Sequence, residues 1–167
     1  MITRVMLDLE TFGTRPGSAI VSIGAVKFGD GKIIGEFYQR IDLKSCVDCG
    51  LVIDPDTVLW WLKQSDEARL ELTLPSQHIA AVLQQFAIWI GPVETEVWGN
   101  GAAFDNALLA EAYHALQLRM PWRYSKDRCY RTLKNLHPEI VMERNGTHHH
   151  ALDDARSQAH HLMRILK

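Results

Sequence analysis

Asp8 and Glu10 stand two residues apart in a short, mostly apolar run from Arg4 to Glu10. In a strand such a pair points to one face, and Leu7 and Leu9 point to the other. Two carboxylates side by side at the end of a buried strand repel one another and are costly to desolvate unless positive charge lies between them. A lysine or arginine can supply it. So can a divalent cation, and hard Mg²⁺ favours carboxylate oxygen. Asp105 falls in the first turn of a segment with helical periodicity, where a helix end favours an anion. Near the end of the chain Ala151, Ala155, Ala159, Leu162 and Leu166 lie within about 80° of one another on a helical wheel and mark a buried stripe. Asp154 borders that stripe, whereas Asp153 points nearly opposite and is expected in solvent. His149 is about 140° from Asp154 on an ideal helix. It can share a site with Asp154 only from the preceding loop, with Thr147 or a neighbouring histidine as cap.

These residues fall into three motifs: Asp8-Leu9-Glu10-Thr11, Gly99-Asn100-Gly101-Ala102-Ala103-Phe104-Asp105 and His149-His150-Ala151-Leu152-Asp153-Asp154-Ala155. In this order and spacing they resemble the exonuclease motifs of the DEDDh group in the DnaQ-like superfamily, over about residues 3 to 166. Asp56-Thr57-Val58-Leu59-Trp60-Trp61, followed by Gln64-Ser65, is similar to the phage exonuclease A type and related bacterial exoribonucleases. The group more commonly has Asn four residues before the second-motif aspartate, where this chain has Gly101. The resemblance implies a 3′→5′ exonuclease that acts on the 3′ end of DNA or RNA and releases nucleoside 5′-monophosphates. Asp8, Glu10, Asp105 and Asp154 would hold two Mg²⁺ or Mn²⁺ ions, and His149 would be the general base. Four carboxylates balance two divalent ions in charge. Relatives also suggest a homodimer. On the substrate side, Phe12 is expected to stack on the terminal base, with Thr11, Asn100, Trp61, Arg128 and Arg131 as further contacts. Trp60 and Trp61 face about 100° apart on a helix, so at most one of them touches substrate. The alternative is a non-catalytic nucleic-acid-binding module of the same fold, which would have no need of all five catalytic residues.

The elements that must position these groups begin with strands at Arg4 to Glu10, Ala19 to Phe28 and Ile33 to Asp42. Gly29-Asp30-Gly31 is a hairpin signal between the last two. Helices follow from Asp54-Pro55 and from Ser65, and Ser76 is the expected cap of a third, with Ile79, Val82, Leu83, Phe86 and Ile90 inward. Val97-Trp98 is a brief strand. Phe104 to Leu118 is a helix, Asp127 caps a basic helix ending near Leu136, and Ala151 to Lys167 is the last. This order predicts an α/β fold, an RNase H-like mixed five-stranded sheet flanked by helices.

The 167 residues are 47% hydrophobic and 23% charged, a mix that fits one globular domain, residues 1–167, and excludes a disordered or collagen-like chain. No apolar run approaches a membrane span, and Arg4, Asp8 and Glu10 interrupt the start where a signal sequence would be apolar. A cytoplasmic protein is expected. Three cysteines suit a reducing compartment, and Cys46 and Cys49 read as a surface loop rather than a zinc or redox pair. Net charge is −2, yet residues 119–134 carry six basic residues against Asp127 alone, interleaved with Trp122, Tyr124 and Tyr130. That pattern suits phosphate contact with base stacking.

Overall fold

In the computed structural model, which describes residues 3–167, five strands form one mixed sheet in the order β3-β2-β1-β4-β5. The central strand β1 (Arg4–Thr11) pairs antiparallel with β2 (Ile20–Gly29) and parallel with β4 (Glu96–Gly99). β3 (Lys32–Arg40) extends the antiparallel side, and β5 (Asp127–Cys129) the parallel side. Asp30 and Gly31 turn the β2–β3 hairpin with φ of 48° and 73°, the positive pair that matches the twist of the flanking strands.

Helices α1 (Leu43–Asp48), α2 (Pro55–Trp61), α3 (Asp66–Glu71), α4 (Ile79–Ile90), α5 (Asp105–Ala115), α6 (Tyr130–Leu136) and α7 (Ala151–Ile165) complete the fold. Asp42, Asp54 and Ser65 cap the first three by accepting from a backbone N–H of the first turn. α4 is capped by His78 and not by the expected Ser76. The expected basic helix from Asp127 is also corrected. Asp127–Cys129 pairs with Val97–Gly99 as a strand, and the helix begins at Tyr130. The Asp127 side chain accepts from Trp122 Nε1 at 2.8 Å and Asn106 Nδ2 at 2.7 Å, which ties β5 to α5. Cys46 belongs to α1 and is fully buried, so the surface-loop reading fails. Burial pushes its thiol up to about 12, which keeps it protonated.

The alternation in β1 divides the molecule. Val5, Leu7 and Leu9 enter the larger apolar cluster, with Ile79, Val82 and Phe86 of α4 and Leu108, Leu109 and Ala112 of α5. Met6 enters the second cluster, under Ala155, Ala159 and Leu162 of α7. Asp8 and Glu10 share the parity of Met6 and therefore face α7. The small residues along α7 let it lie close to the sheet. Leu166, expected in the same stripe, is 41% exposed because the helix has ended before it. Among the described residues no helix is long and apolar enough to cross a membrane.

Candidate active site

Where β1 and β4 end side by side, three elements bring acids together. β1 supplies Asp8 and Glu10, the first turn of α5 supplies Asp105, and the first turn of α7 supplies Asp154. One carboxylate oxygen from each of Asp8, Glu10 and Asp154 lies within 4.8 Å of the others. Asp105 is held beside them by two backbone donors, Leu9 N at 3.1 Å and Asn100 N at 2.7 Å. Gln158, one turn beyond Asp154 on the same helix face, donates from Nε2 to Asp8 Oδ1 at 2.7 Å. All four acids are buried or nearly so, and they line a cleft of about 660 Å³.

Burial among like charges sets their electrostatics. Desolvation, then repulsion from Asp105, Glu10 and Asp154, holds the Asp8 carboxyl well above its ordinary 3.8, against the opposing bond from Gln158. Burial and the charges of Asp154 and Asp105 push Glu10 up to about 8. Burial raises Asp105 to about 7, although the N–H groups of Leu9 and Asn100 oppose it. Among the described residues, the one cation bonded to the cluster is Arg144, from the loop before α7, which donates to Asp154 Oδ1. The donor set is all carboxylate oxygen, the chemistry that hard divalent cations such as Mg²⁺ or Mn²⁺ prefer. Asn100 Oδ1 and Gln158 Oε1 also line the cleft, buried and without a hydrogen-bond partner among the described residues. Both features fit a bound cation with its water shell.

His149 stands in the loop, as its spacing requires, with φ at 63° and its backbone N–H donating to Asp154 Oδ2 at 2.9 Å. Its ring packs edge-on to Trp60, centroids 4.9 Å apart, and stacks on His148 at 3.7 Å. Burial first, then the neighbouring His148, lowers its pKa below the ordinary 6.5, against the opposing charge of Asp154. The cap of α7 is His150, whose Nδ1 accepts from Asp153 N at 3.4 Å. Asp153 is not the solvent acid that its helical phase suggests. Its carboxylate accepts from Thr147 N at 3.0 Å and Arg156 at 2.9 Å, and so holds the loop that carries His149.

Two glycines set the approach of these elements: Gly24, outside the three motifs, and Gly99, which opens the second. Gly24 of β2 lies opposite Asp8, and a Cβ there would stand 2.1 Å from the Ala151 carbonyl carbon at the start of α7. Gly99 ends β4, where a Cβ would stand 2.3 Å from Asn106 Oδ1 and 3.0 Å from Asp105 Cβ. Gly24→Ala must push α7, and Asp154 with it, away from Asp8. A misplacement of that kind is expected to lower cleavage by about 10²-fold or more. Rate and metal affinity measured on protein whose circular dichroism is unchanged would check this, and wild-type values for both would refute it.

The expected substrate contacts separate. Thr11, Asn100 and Arg131 line the cleft, and Arg131 donates to the Asn100 carbonyl. Trp61 also borders it but is only 2% exposed, with its indole N–H donating to Thr11 O at 2.9 Å. Trp60, 42% exposed, presents the accessible ring instead. Phe12 packs on the core and lines a smaller cavity with Arg40 and Glu71, away from the acids. Arg128 is held by Glu96 at 3.0 Å and by the Ser125 and Asp127 carbonyls, outside the cleft. Half of the basic stretch is paired off, Arg123 and Lys126 with Glu94 and Arg128 with Glu96. Trp122 and Tyr130 are core residues, which leaves Tyr124 as the exposed aromatic there.

Comparison with solved structures gives E. coli exonuclease I in complex with a dT13 oligonucleotide at a TM-score of 0.69 and 18% identity, covering 99% of this chain and 41% of that one. Cell-death related nuclease 4 matches at 0.64 and 13%, covering 98% of this chain and 63% of that one. The chain thus spans about two fifths of the exonuclease I chain, with which it shares the fold. No curated protein matches. The model of the Rv2179c-like 3′-5′ exoribonuclease domain matches residues 3–166, the whole span in which the four acids and His149 converge, and the chain belongs to that family.

Proposed function

We propose that the protein removes nucleotides one at a time from the 3′ end of RNA, by metal-assisted hydrolysis with His149 as general base and release of nucleoside 5′-monophosphates. The observation that carries this reading is the cluster of Asp8, Glu10 and Asp154 within 4.8 Å, beside the His149 imidazole in one cleft. Asp8, Glu10, Asp105 and Asp154 would hold two Mg²⁺ or Mn²⁺ ions, which supply Lewis-acid stabilisation of the attacking and leaving oxygens. His149 takes the proton of the attacking water, and its lowered pKa keeps it unprotonated at neutral pH. Gln158 orients Asp8. Trp60 offers an exposed face for the terminal base, and Arg131 a charge for the phosphate that follows. The family description supports RNA over DNA, and three free cysteines suit a reducing, cytoplasmic setting.

The test is a 5′-labelled RNA and its DNA counterpart, each with Mg²⁺, Mn²⁺ or EDTA. The expected result is a ladder shortening from the 3′ end, faster on RNA and absent in EDTA. Internal cuts, or cleavage undiminished by EDTA, would overturn the reading. Within the basic stretch, Arg131→Ala is expected to weaken oligonucleotide binding and reduce its salt slope by about 1, as for one lost phosphate contact. Arg128→Ala should leave that slope unchanged, because its charge is spent on Glu96.

A further inference from the structure

We propose that His148, His149 and Asp154 form a site for a borderline transition-metal ion, Zn²⁺ foremost, whose occupation switches cleavage off by taking the lone pair of His149. The inference rests on His149 being the base. One ligand atom from each residue lies within 4.8 Å of the other two, a second constellation distinct in chemistry from the all-oxygen cluster with which it shares Asp154. The two imidazoles are stacked with centroids 3.7 Å apart and planes 29° from parallel, and a turn of the exposed His148 ring about its side-chain torsions would aim its nitrogen at the ion that His149 and Asp154 hold. His148 is exposed, His149 half-buried and Asp154 buried, which opens the site to solvent on one side and fixes it on the other.

The fixing is visible in the contacts of His149. Its backbone is bonded to Asp154 Oδ2 at 2.9 Å, and its ring is set against Trp60 and Trp61 at 4.9 and 6.2 Å. Arg144, which also reaches Asp154, is 43% exposed on the loop, and the ion would take its place on the Asp154 carboxylate. Two imidazoles and one carboxylate, with the remaining position left to water, are a donor set that suits Zn²⁺ and discriminates against Mg²⁺. Binding forms coordinate bonds from the ring lone pairs and releases water from the ion, with no oxidant or reductant. An imidazole whose lone pair is coordinated accepts no proton, so hydrolysis would stop even with Asp8, Glu10 and Asp105 still open to Mg²⁺.

His148 bears on the proposed hydrolysis only as a neighbour that lowers the His149 pKa, so His148→Ala, assayed at a pH above the His149 limb, isolates the switch. Zn²⁺ titrated calorimetrically into chelator-treated protein is expected to bind wild type and Asp8→Asn alike, and His148→Ala about tenfold or more weakly. In Mg²⁺-supported cleavage, the half-inhibitory Zn²⁺ concentration should rise by a similar factor in His148→Ala. Unchanged Zn²⁺ affinity in that variant would overturn the site, and weakened affinity with unchanged inhibition would overturn the switch. A wild type inactive with Mg²⁺ would refute the hydrolytic reading alone, since the calorimetric arm decides the site without it.

Discussion

Asp8→Asn is expected to lower metal-supported cleavage by about 10³-fold or more, and at the same time to make the metal-free protein harder to unfold. Both effects follow from one fact. Asp8 is largely withdrawn from solvent and surrounded by Asp105, Glu10 and Asp154, an arrangement that is useful only when cations share it. The amide keeps the shape and can still accept from Gln158, but it brings no charge. For acids whose folded pKa lies above the unfolded value, stability is fully present below the unfolded pKa and is lost as pH rises through the folded one. Glu10, raised from 4.5 to about 8, sets the window. In EDTA the urea midpoint of wild type should therefore fall between about pH 4.5 and 8, with the variant pulling ahead as pH rises. Saturating Mg²⁺ should erase the gap. Retained cleavage, or identical midpoints across the window, would refute the clustered-carboxylate account.

His149→Ala should reduce turnover by about 10²–10⁴, the usual loss of a general base, with a near-normal dissociation constant for oligonucleotide. Because burial and His148 hold its pKa below 6.5, the wild-type rate should climb with pH along a limb centred below that value. The limb should vanish in the variant. The flanking histidines differ from each other. His148→Ala should keep most Mg²⁺-supported activity. His150→Ala removes the cap of α7 and a ring packed at a tilt 4.5 Å from Tyr38, and should cost about 0.5–2 kcal/mol of stability. If His148→Ala proved the crippled variant, the base would be misassigned, though the acids would keep their role.

Asp8, Glu10 and Asp154 were legible from local periodicity, whereas Asp105 and the joining of all four into one cluster came from the resemblance of the three motifs. Strand alternation put Asp8 and Glu10 on one face, and the alanine stripe of α7 placed Asp154 beside the core. His149 could be assigned to the loop by the failure of its helical phase. What was hidden depends on tertiary partners. β5 is too short to alternate, so Asp127 read as a cap while its carboxylate in fact binds Trp122 and Asn106. The positive charges of 119–134 gave no sign that Glu94 and Glu96 would pair with three of the six. Trp60 and Trp61 were known to diverge by their spacing, but which one faced water depended on the Thr11 carbonyl that takes the Trp61 indole. Arg144 carries no motif. Gln158 was findable, since it follows Asp154 by one helical turn.

The bare backbone at Gly24 turns an omission into a diagnostic. A chain can keep every acid of this site and still lack the activity if any larger residue faces the first aspartate across the β1–β2 pair, since α7 then has nowhere to seat. Position 24 therefore offers a one-residue screen for sorting working enzymes of this fold from silent look-alikes that an inventory of catalytic residues would pass.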